Sequence, residues 1–436
     1  MNRFLWIWLF MLFVSSTWAQ KQKELSLKEA LSLSYEQNST IQIAYEDLKA
    51  AIADYKSTNA IFMPQVVLSE NYIYTNNPMQ VFGVNLQQTS ITSADFAPDK
   101  LNNPDATDNW NTSVMVQMPL FNLDKIYERK MAKEVSKSKY SSLQQVYNLM
   151  EFEVKKAYYA LQLAHERVRV MEEALSSSKS SEEVVASLKR EGLVTQADKS
   201  MSMVYALKTE NGLLAAKNDY RQANRYLLFL LKLDADIEVL PTDRLGEISI
   251  PTEPMSGVVP VERADLMAQR HYVQALENRV KQNKASWIPS LNAMGSYDLN
   301  SKEIFSGSSN SYWVGVSLQW KLFQGGMRIS QNKKHKAEYR KAQHQLLQME
   351  DKANMELQNT LDQLKLYEKQ TDIMYQAFLQ SQESYAIKFN RYGEGLEKTS
   401  DILQSKSEME QVHLHYLQSQ YQYSLAYFQL QWMLKK

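Results

Sequence analysis

Tyr312-Trp313-Val314-Gly315-Val316-Ser317-Leu318-Gln319-Trp320-Lys321-Leu322-Phe323 sets apolar residues at every even position from 312 to 322. The odd positions carry Trp313, Gly315, Ser317, Gln319 and Lys321, before Phe323. Period two is the signature of a strand with one apolar face. Three more segments share it. Val114, Val116, Met118 and Leu120 alternate with Ser113, Met115 and Gln117; Val66, Leu68, Tyr72 and Tyr74 alternate with Gln65, Ser69 and Asn71; Leu291, Ala293, Tyr297 and Leu299 alternate with Asn292, Ser296 and Asp298. Val67 and Met115 on the polar face and Glu70 on the apolar face break the pattern. Each segment is about 9–11 residues, the length of a tilted strand that crosses a bilayer. Trp110, Trp313, Trp320, Tyr72, Tyr74, Tyr297 and Tyr312 suit interfacial girdles. Val314, Val316, Leu318 and Trp320 are therefore expected to face lipid. The competing reading is a soluble four-stranded sheet packed on helices.

Four strands cannot close a barrel, and open edges in hydrocarbon leave unpaired N–H and C=O groups at several kcal/mol each. Copies of the chain must supply the missing strands. Three copies give twelve, an even number in the range of membrane barrels, and a cyclic head-to-tail interface closes the ring.

Outside the strands the chain is helical and written twice. Asn59–Gln65 resembles Lys284–Ser290, Gln117–Phe121 resembles Gln319–Phe323, and Arg190-Glu191-Gly192-Leu193 with Asp198 resembles Gly393-Glu394-Gly395-Leu396 with Asp401. Gly192 and Gly395, Asp198 and Asp401, and Val154 and Leu357 each lie 203 residues apart, whereas Pro64 and Pro289 lie 225 apart. The first copy thus holds about two dozen additional residues, expected as a polar, exposed loop over 76–109. Leu143, Tyr147, Met150, Val154, Tyr158 and Leu161 recur in steps of 3 and 4, as do Leu346, Met349, Ala353, Leu357, Leu361 and Leu364. Such steps draw one apolar stripe on a helix. A helix of some 65 residues is on the order of 100 Å long and must pack lengthwise on other helices. The spacing predicts helices over 27–61, 123–189, 196–233, 261–286, 327–391 and 399–434. Domains follow as 1–19, 20–233 (first repeat), 234–260 (a linker with four prolines) and 261–436 (second repeat). The fold class is mainly α with a transmembrane β part.

Composition narrows the function. With 49 Lys+Arg against 49 Asp+Glu, no basic excess points to nucleic acid. Gly (12) and Pro (10) are scarce, as suits long helices. The chain has no Cys, which excludes disulfides, thiolate metal sites, Cys nucleophiles and a lipid anchor on Cys. Arg3, the apolar run Leu5–Val14 and Thr17-Trp18-Ala19 read as a secretory signal peptide cleaved before Gln20; the run is too short for a membrane anchor. Six His residues lack zinc-ligand spacing, and no phosphate-cradling Gly loop or nucleophile elbow is present. No cofactor and no enzymatic activity are expected.

These features together resemble the TolC-like outer membrane efflux proteins. The likeness spans the mature chain, and its marks are the Pro64 and Pro289 strand entries, the Pro119-Leu120-Phe121 and Lys321–Gly326 exits, and the Gly-Leu turns followed by Asp. It implies a homotrimer with a 12-stranded β-barrel on a 12-helix tunnel, a periplasmic adaptor and an inner-membrane pump of RND or ABC type. It also implies that Gly192, Leu193, Gly395 and Leu396 form adaptor-docking turns at the periplasmic tip. Asp198, Asp401 and Tyr392 would then lie at the gate. Two departures stand out: Gln404 replaces a second acidic residue, and Glu397 occupies a position where a gate arginine can occur, leaving Lys398 to stand in for it. Helix capping and dipole effects are the structural alternative for both aspartates. The functional expectation is a passive efflux conduit. The alternatives are the outlet of a type I protein secretion system and a periplasmic coiled-coil adaptor.

Overall fold

The computed structural model describes residues 21–246, 257–307 and 309–435. The expected signal peptide and the middle of the expected linker lie outside them. The elements run β1 (Lys21–Leu25), α1 (Leu27–Gln37), α2 (Ser39–Ser57), β2 (Gln65–Thr75), α3 (Pro78–Gln87), α4 (Pro98–Asn102), β3 (Thr107–Phe121), α5 (Leu123–Arg190), α6 (Gln196–Leu231), β4 (Ile237–Pro241), α7 (Ala264–Ala285), β5 (Ser290–Ser301), β6 (Ser309–Gln319), α8 (Met327–Gly393) and α9 (Thr399–Leu434), with short 3-10 turns at Thr58–Phe62 and Ser93–Phe96. The chain divides into two compact units, one of Met1–Glu46, Ser142–Leu266 and Gln348–Lys436, the other of Asp47–Ser141 and Met267–Leu347.

The first unit is helical, and its core lies where the sequence stripes fall. Val154, Tyr158 and Leu161 of α5 are fully buried, together with Leu227, Leu228 and Leu231 of α6. Ala353 and Leu357 of α8 are buried against Leu430 and Met433 of α9. The unit also holds a two-stranded parallel sheet of β1 and β4. The expected linker is thus partly a strand. Buried side chains secure it: Tyr220 Oη donates to the Val239 carbonyl at 2.8 Å, and Asn224 bonds both the Ile237 carbonyl and the Val239 amide. Tyr158 Oη lies 2.8 Å from the Leu25 carbonyl and 2.7 Å from Asp243 Oδ2, and the same carboxylate accepts from the Leu27 amide.

The single helix expected over 27–61 is instead three pieces. Ser26 and Glu29 form a reciprocal cap on α1. Asn38 then leaves helical geometry at φ −65°, ψ 125°. Its amide donates to the buried Leu230 carbonyl while its Oδ1 accepts from the Thr40 amide. A side chain that meets backbone groups on both sides favours a break over continuation.

The second unit carries the antiparallel sheet, ordered β2-β3-β5-β6. The expected loop over 76–109 is a correction too. It folds into α3, a 3-10 turn, α4 and the start of β3. Asn77 caps α3 with Pro78 in its first turn. Val81 and Val84 are buried, and Gln88 donates to the Asp108 carbonyl and to Asn109 Oδ1.

Tyr158→Phe removes the hydroxyl that joins β1 to the segment after β4 and is expected to cost about 1–2 kcal/mol. Amide exchange at Lys23–Leu25 should accelerate while exchange in the α5 core stays unchanged. Unaltered β1 exchange would show that the strand is held by other contacts.

Candidate functional site

The sheet is amphipathic across all four strands, because the register stacks like on like. On one face Tyr312 pairs with Tyr297, Tyr297 with Val114, and Val114 with Leu68; the next row is Val314, Gly295, Val116 and Val66. On the other face Asp298 lies between Ser311 and Ser113, and Asn300 between Ser309 and Asn111. Asn300 Oδ1 accepts from both Asn109 and Asn111, and Ser113 and Ser296 bond through their hydroxyls. Glu70, the acidic residue of the apolar face, accepts from the hydroxyl of its cross-strand partner Thr112. The apolar face is uncovered: Val314 is 82% exposed and Val316, Leu318 and Trp320 are also exposed. Trp320 Nε1 donates to the Trp287 carbonyl at 2.9 Å. β2 and β6 each have one neighbouring strand, so both edges are open among the described residues.

The two long helical hairpins turn in the same way. Leu193 donates its amide to the Leu188 carbonyl and Leu396 to the Arg391 carbonyl, each across a left-handed glycine, Gly192 at φ 77° and Gly395 at φ 74°. A side chain at either glycine would be strained. Leu193 and Leu396 are both exposed at these turns.

Beyond the turns the halves differ. Thr195 caps α6 and its amide and hydroxyl both reach Asp198 Oδ2, at 2.9 and 2.6 Å. The Thr195 hydroxyl, then its amide, and then the Thr399 hydroxyl hold the Asp198 carboxyl below its ordinary range. Its capping contribution is therefore fully present above the ordinary aspartate range and lost as pH falls through the lowered value. In the second half Lys398 takes the cap position with no side-chain cap bond. Asp401 accepts from Ser400 Oγ at 3.0 Å and stands in the first turn of α9, where the helix dipole favours an anion. Arg391 pairs with Glu397 at 3.1 Å, so the acid that replaces the expected arginine is itself held by an arginine one turn back. Tyr392 Oη lies 3.2 Å from the buried Thr399 hydroxyl. Gln404 is exposed and Lys398 has no acidic partner within 4 Å among the described residues.

The family model for outer membrane efflux proteins matches residues 30–231 and 259–434. The chain belongs to that family. No curated protein sequence matches it significantly. Its fold is similar to that of the outer membrane channel CmeC of Campylobacter jejuni, with a TM-score of 0.81 at 16% identity over 94% of this chain and 85% of that one. A membrane protein of Pseudomonas aeruginosa gives 0.79 at 17% identity, covering 94% and 93%. The outer membrane protein VceC of Vibrio cholerae gives 0.76 at 17%, covering 93% and 94%. No described helix is long and apolar enough to cross a membrane.

This efflux-family chain also buries a polar cluster that periodicity alone did not single out. Lys406 of α9 is 4% exposed and its ammonium meets Ser177 Oγ of α5. It lies 5.9 Å from the centre of the Tyr385 ring of α8. One turn on, Glu410 accepts from Tyr205 Oη of α6 at 2.8 Å, while its other oxygen is buried without a partner. Burial pushes the Glu410 carboxyl up and the Lys406 ammonium down. The signal was present in the sequence: Ile402, Lys406, Glu410, His413 and Leu417 keep the steps of 3 and 4, so a cation and an acid occupy core phase.

Because the Glu410 carboxyl is raised, its contribution is fully present below the ordinary glutamate range and lost as pH rises through the raised value. Lys406→Met removes the cation that opposes burial of that acid and is expected to destabilise by about 1–3 kcal/mol at pH 7, the range for a buried polar group left unsatisfied. Lys406→Met with Glu410→Gln should recover most of the loss. Thermal unfolding at pH 7 and pH 5 checks both, and the single variant should lose less at pH 5.

Proposed function

We propose that this chain is the outer membrane channel of a tripartite efflux system, a passive conduit closed by three copies. One observation carries the proposal: a sheet with an exposed apolar face and two open edges. In hydrocarbon each bare edge group costs several kcal/mol, and β2 of one copy can meet β6 of the next. Three copies then give twelve strands around a lumen lined by the Asn and Ser face. The segments 20–233 and 261–436 act as repeats joined through 234–260, exported by the leader at 1–19, with the helical hairpins in the periplasm.

In this reading Gly192, Leu193, Gly395 and Leu396 form the adaptor-docking turns. Asp198, Asp401, Tyr392, Lys398 and Gln404 surround the closed tip, and a ring of Asp401 carboxylates favours cations over anions. An RND or ABC pump supplies the energy, since a conduit binds no nucleotide and drives no gradient. A type I secretion outlet shares this wall and differs in its partner.

Val316→Arg puts a cation on the lipid face at about 2–4 kcal/mol per copy, whereas Ser317→Arg faces the lumen. The first should remove the heat-modifiable oligomer from the outer membrane fraction and the second should retain it. Equal tolerance of both would mean the sheet is not in lipid. Because the chain has no Cys, cysteine pairs placed along β2 and β6 should yield crosslinked trimers; intramolecular products alone would defeat the closure. Tyr392→Phe with Thr399→Val loosens the tip and should raise single-channel conductance in planar bilayers, and unchanged conductance would remove Tyr392 from the gate.

A further inference from the structure

Both long helices follow a strand, α5 two residues after β3 and α8 eight residues after β6, and both begin basic. Lys130, Lys133 and Lys137 follow one another in steps of 3 and 4 on α5. Lys333, Lys336 and Arg340 do the same on α8, each 203 residues after its counterpart. All six are exposed. Lys137 pairs with Glu134, and Lys130 lies 5.0 Å from the Tyr127 ring. Lys133, Lys333, Lys336 and Arg340 have no acidic partner within 4 Å among the described residues. The two halves therefore place the same charge at the same helical phase, although most of their surface has diverged.

The direction of the stripe follows from what flanks α5. Toward α7, Glu128 accepts from Gln282, Glu134 bonds His271 at 2.8 Å, and Ser138 donates to the Ala268 carbonyl. Toward α2, Lys139 pairs with Asp47 at 2.7 Å and Arg129 lies over Tyr55. At about 100° per residue, Glu128 and Lys139 lie within roughly 20° of each other around the helix, so the flanking helices bend toward one side. The lysine stripe is on the opposite, convex side. On α8, Gln331 and Ala342 meet α7 through Asn283 and Gln269, again with the stripe turned away.

Depth follows from the helix rise. Lys130 and Lys333 stand seven and six residues past the first residue of their helices, roughly 10 Å along each helix axis. Exposed Leu322, Phe323 and Ile329 precede them on one side, and Leu120 and Phe121 on the other. Headgroups occupy the several ångströms outside a hydrocarbon core of about 30 Å. Helical side chains lean toward the N-terminus, here toward the sheet, and lysine stems can run along apolar surface with the ammonium at the polar boundary.

We propose that these two stripes form a basic collar that binds the phosphate groups of anionic glycerophospholipids in the periplasmic leaflet of the outer membrane. The inference rests on the sheet lying in that membrane. Three copies present six stripes, a continuous belt of cations where the barrel meets the helices. Each cation near an anionic surface contributes roughly a fivefold gain in binding.

The test uses the full-length oligomer in mild detergent, with native mass spectrometry of retained phosphatidylglycerol against phosphatidylcholine. Wild type should prefer phosphatidylglycerol, less so in high salt. Lys130→Gln, Lys133→Gln, Lys333→Gln and Lys336→Gln combined should cut that preference at least tenfold. The same lysines changed to Arg should keep it, as should four substitutions elsewhere, at Lys199, Lys208, Lys365 and Lys369. An unchanged preference in the quadruple Gln variant overturns the proposal. So does a changed ion selectivity of the pore with unchanged lipid retention, which would put the stripe in the lumen. If wild type itself never reaches the outer membrane fraction, the membrane reading fails instead, and the heat-modifiable oligomer distinguishes the two failures.

Discussion

The unpaired backbone at the two edges of the sheet governs the rest of this molecule. A four-stranded sheet in water can leave its edges to solvent, but one that shows Val314, Val316 and Leu318 to its surroundings cannot remain in water without aggregating. Lipid satisfies the face and worsens the edges, because nothing in hydrocarbon can hydrogen-bond an N–H. Only another strand satisfies both. The period-two pattern, the strand lengths, the pairing of serine and asparagine on the opposite face and the need for further copies all answer that one demand.

The strands and long helices were legible because each must keep one face apolar over many residues, and a repeated constraint leaves a repeated signal. The sheet of β1 and β4 left almost none. Its strands are five residues each and pair in parallel across more than 200 residues, so the energy lies in non-local contacts such as the Tyr220 and Asn224 bonds. The break at Asn38 was hidden for a related reason. Asparagine interrupts that helix because a carbonyl from α6 waits for its amide, and no window of local sequence contains both. The additional segment after β2 reads as polar, yet Val81 and Val84 at spacing three find cover when the chain folds back toward the sheet.

At the hairpin ends the glycines were legible in the sequence, and the divergence of the halves was not. Gly192 and Gly395 are kept by backbone geometry, since each sits at positive φ with an amide bond spanning the turn. The following aspartates look equivalent at the same offset. Thr195 makes Asp198 half of a capping box, whereas Lys398 offers no oxygen and leaves Asp401 to the helix dipole. Of the capping expected for both aspartates, the reciprocal box forms at Thr195-x-x-Asp198. Asp401 therefore keeps only its Ser400 bond and the dipole of its own helix, whereas Asp198 is closed into a reciprocal cap.

Residues that recur at the 203-residue offset do so for different physical reasons. Positions under backbone constraint recur because any substitution is strained, and buried positions such as Val154 and Leu357 recur because they are packed. Exposed charges answer to neither constraint, so their recurrence needs another cause. Lys130, Lys133 and Lys137 stand in solvent, as do Lys333, Lys336 and Arg340, and a solvated helix face could carry any polar residue at those sites with little change in stability. Mutual repulsion along a single stripe disfavours the arrangement by a few tenths of a kcal/mol per like-charged pair. Among the described residues only Lys137 finds an acid and only Lys130 a ring within its own helix, so a stripe that adds little to the fold yet appears at the same phase in both halves is what the proposed anionic surface outside the chain accounts for.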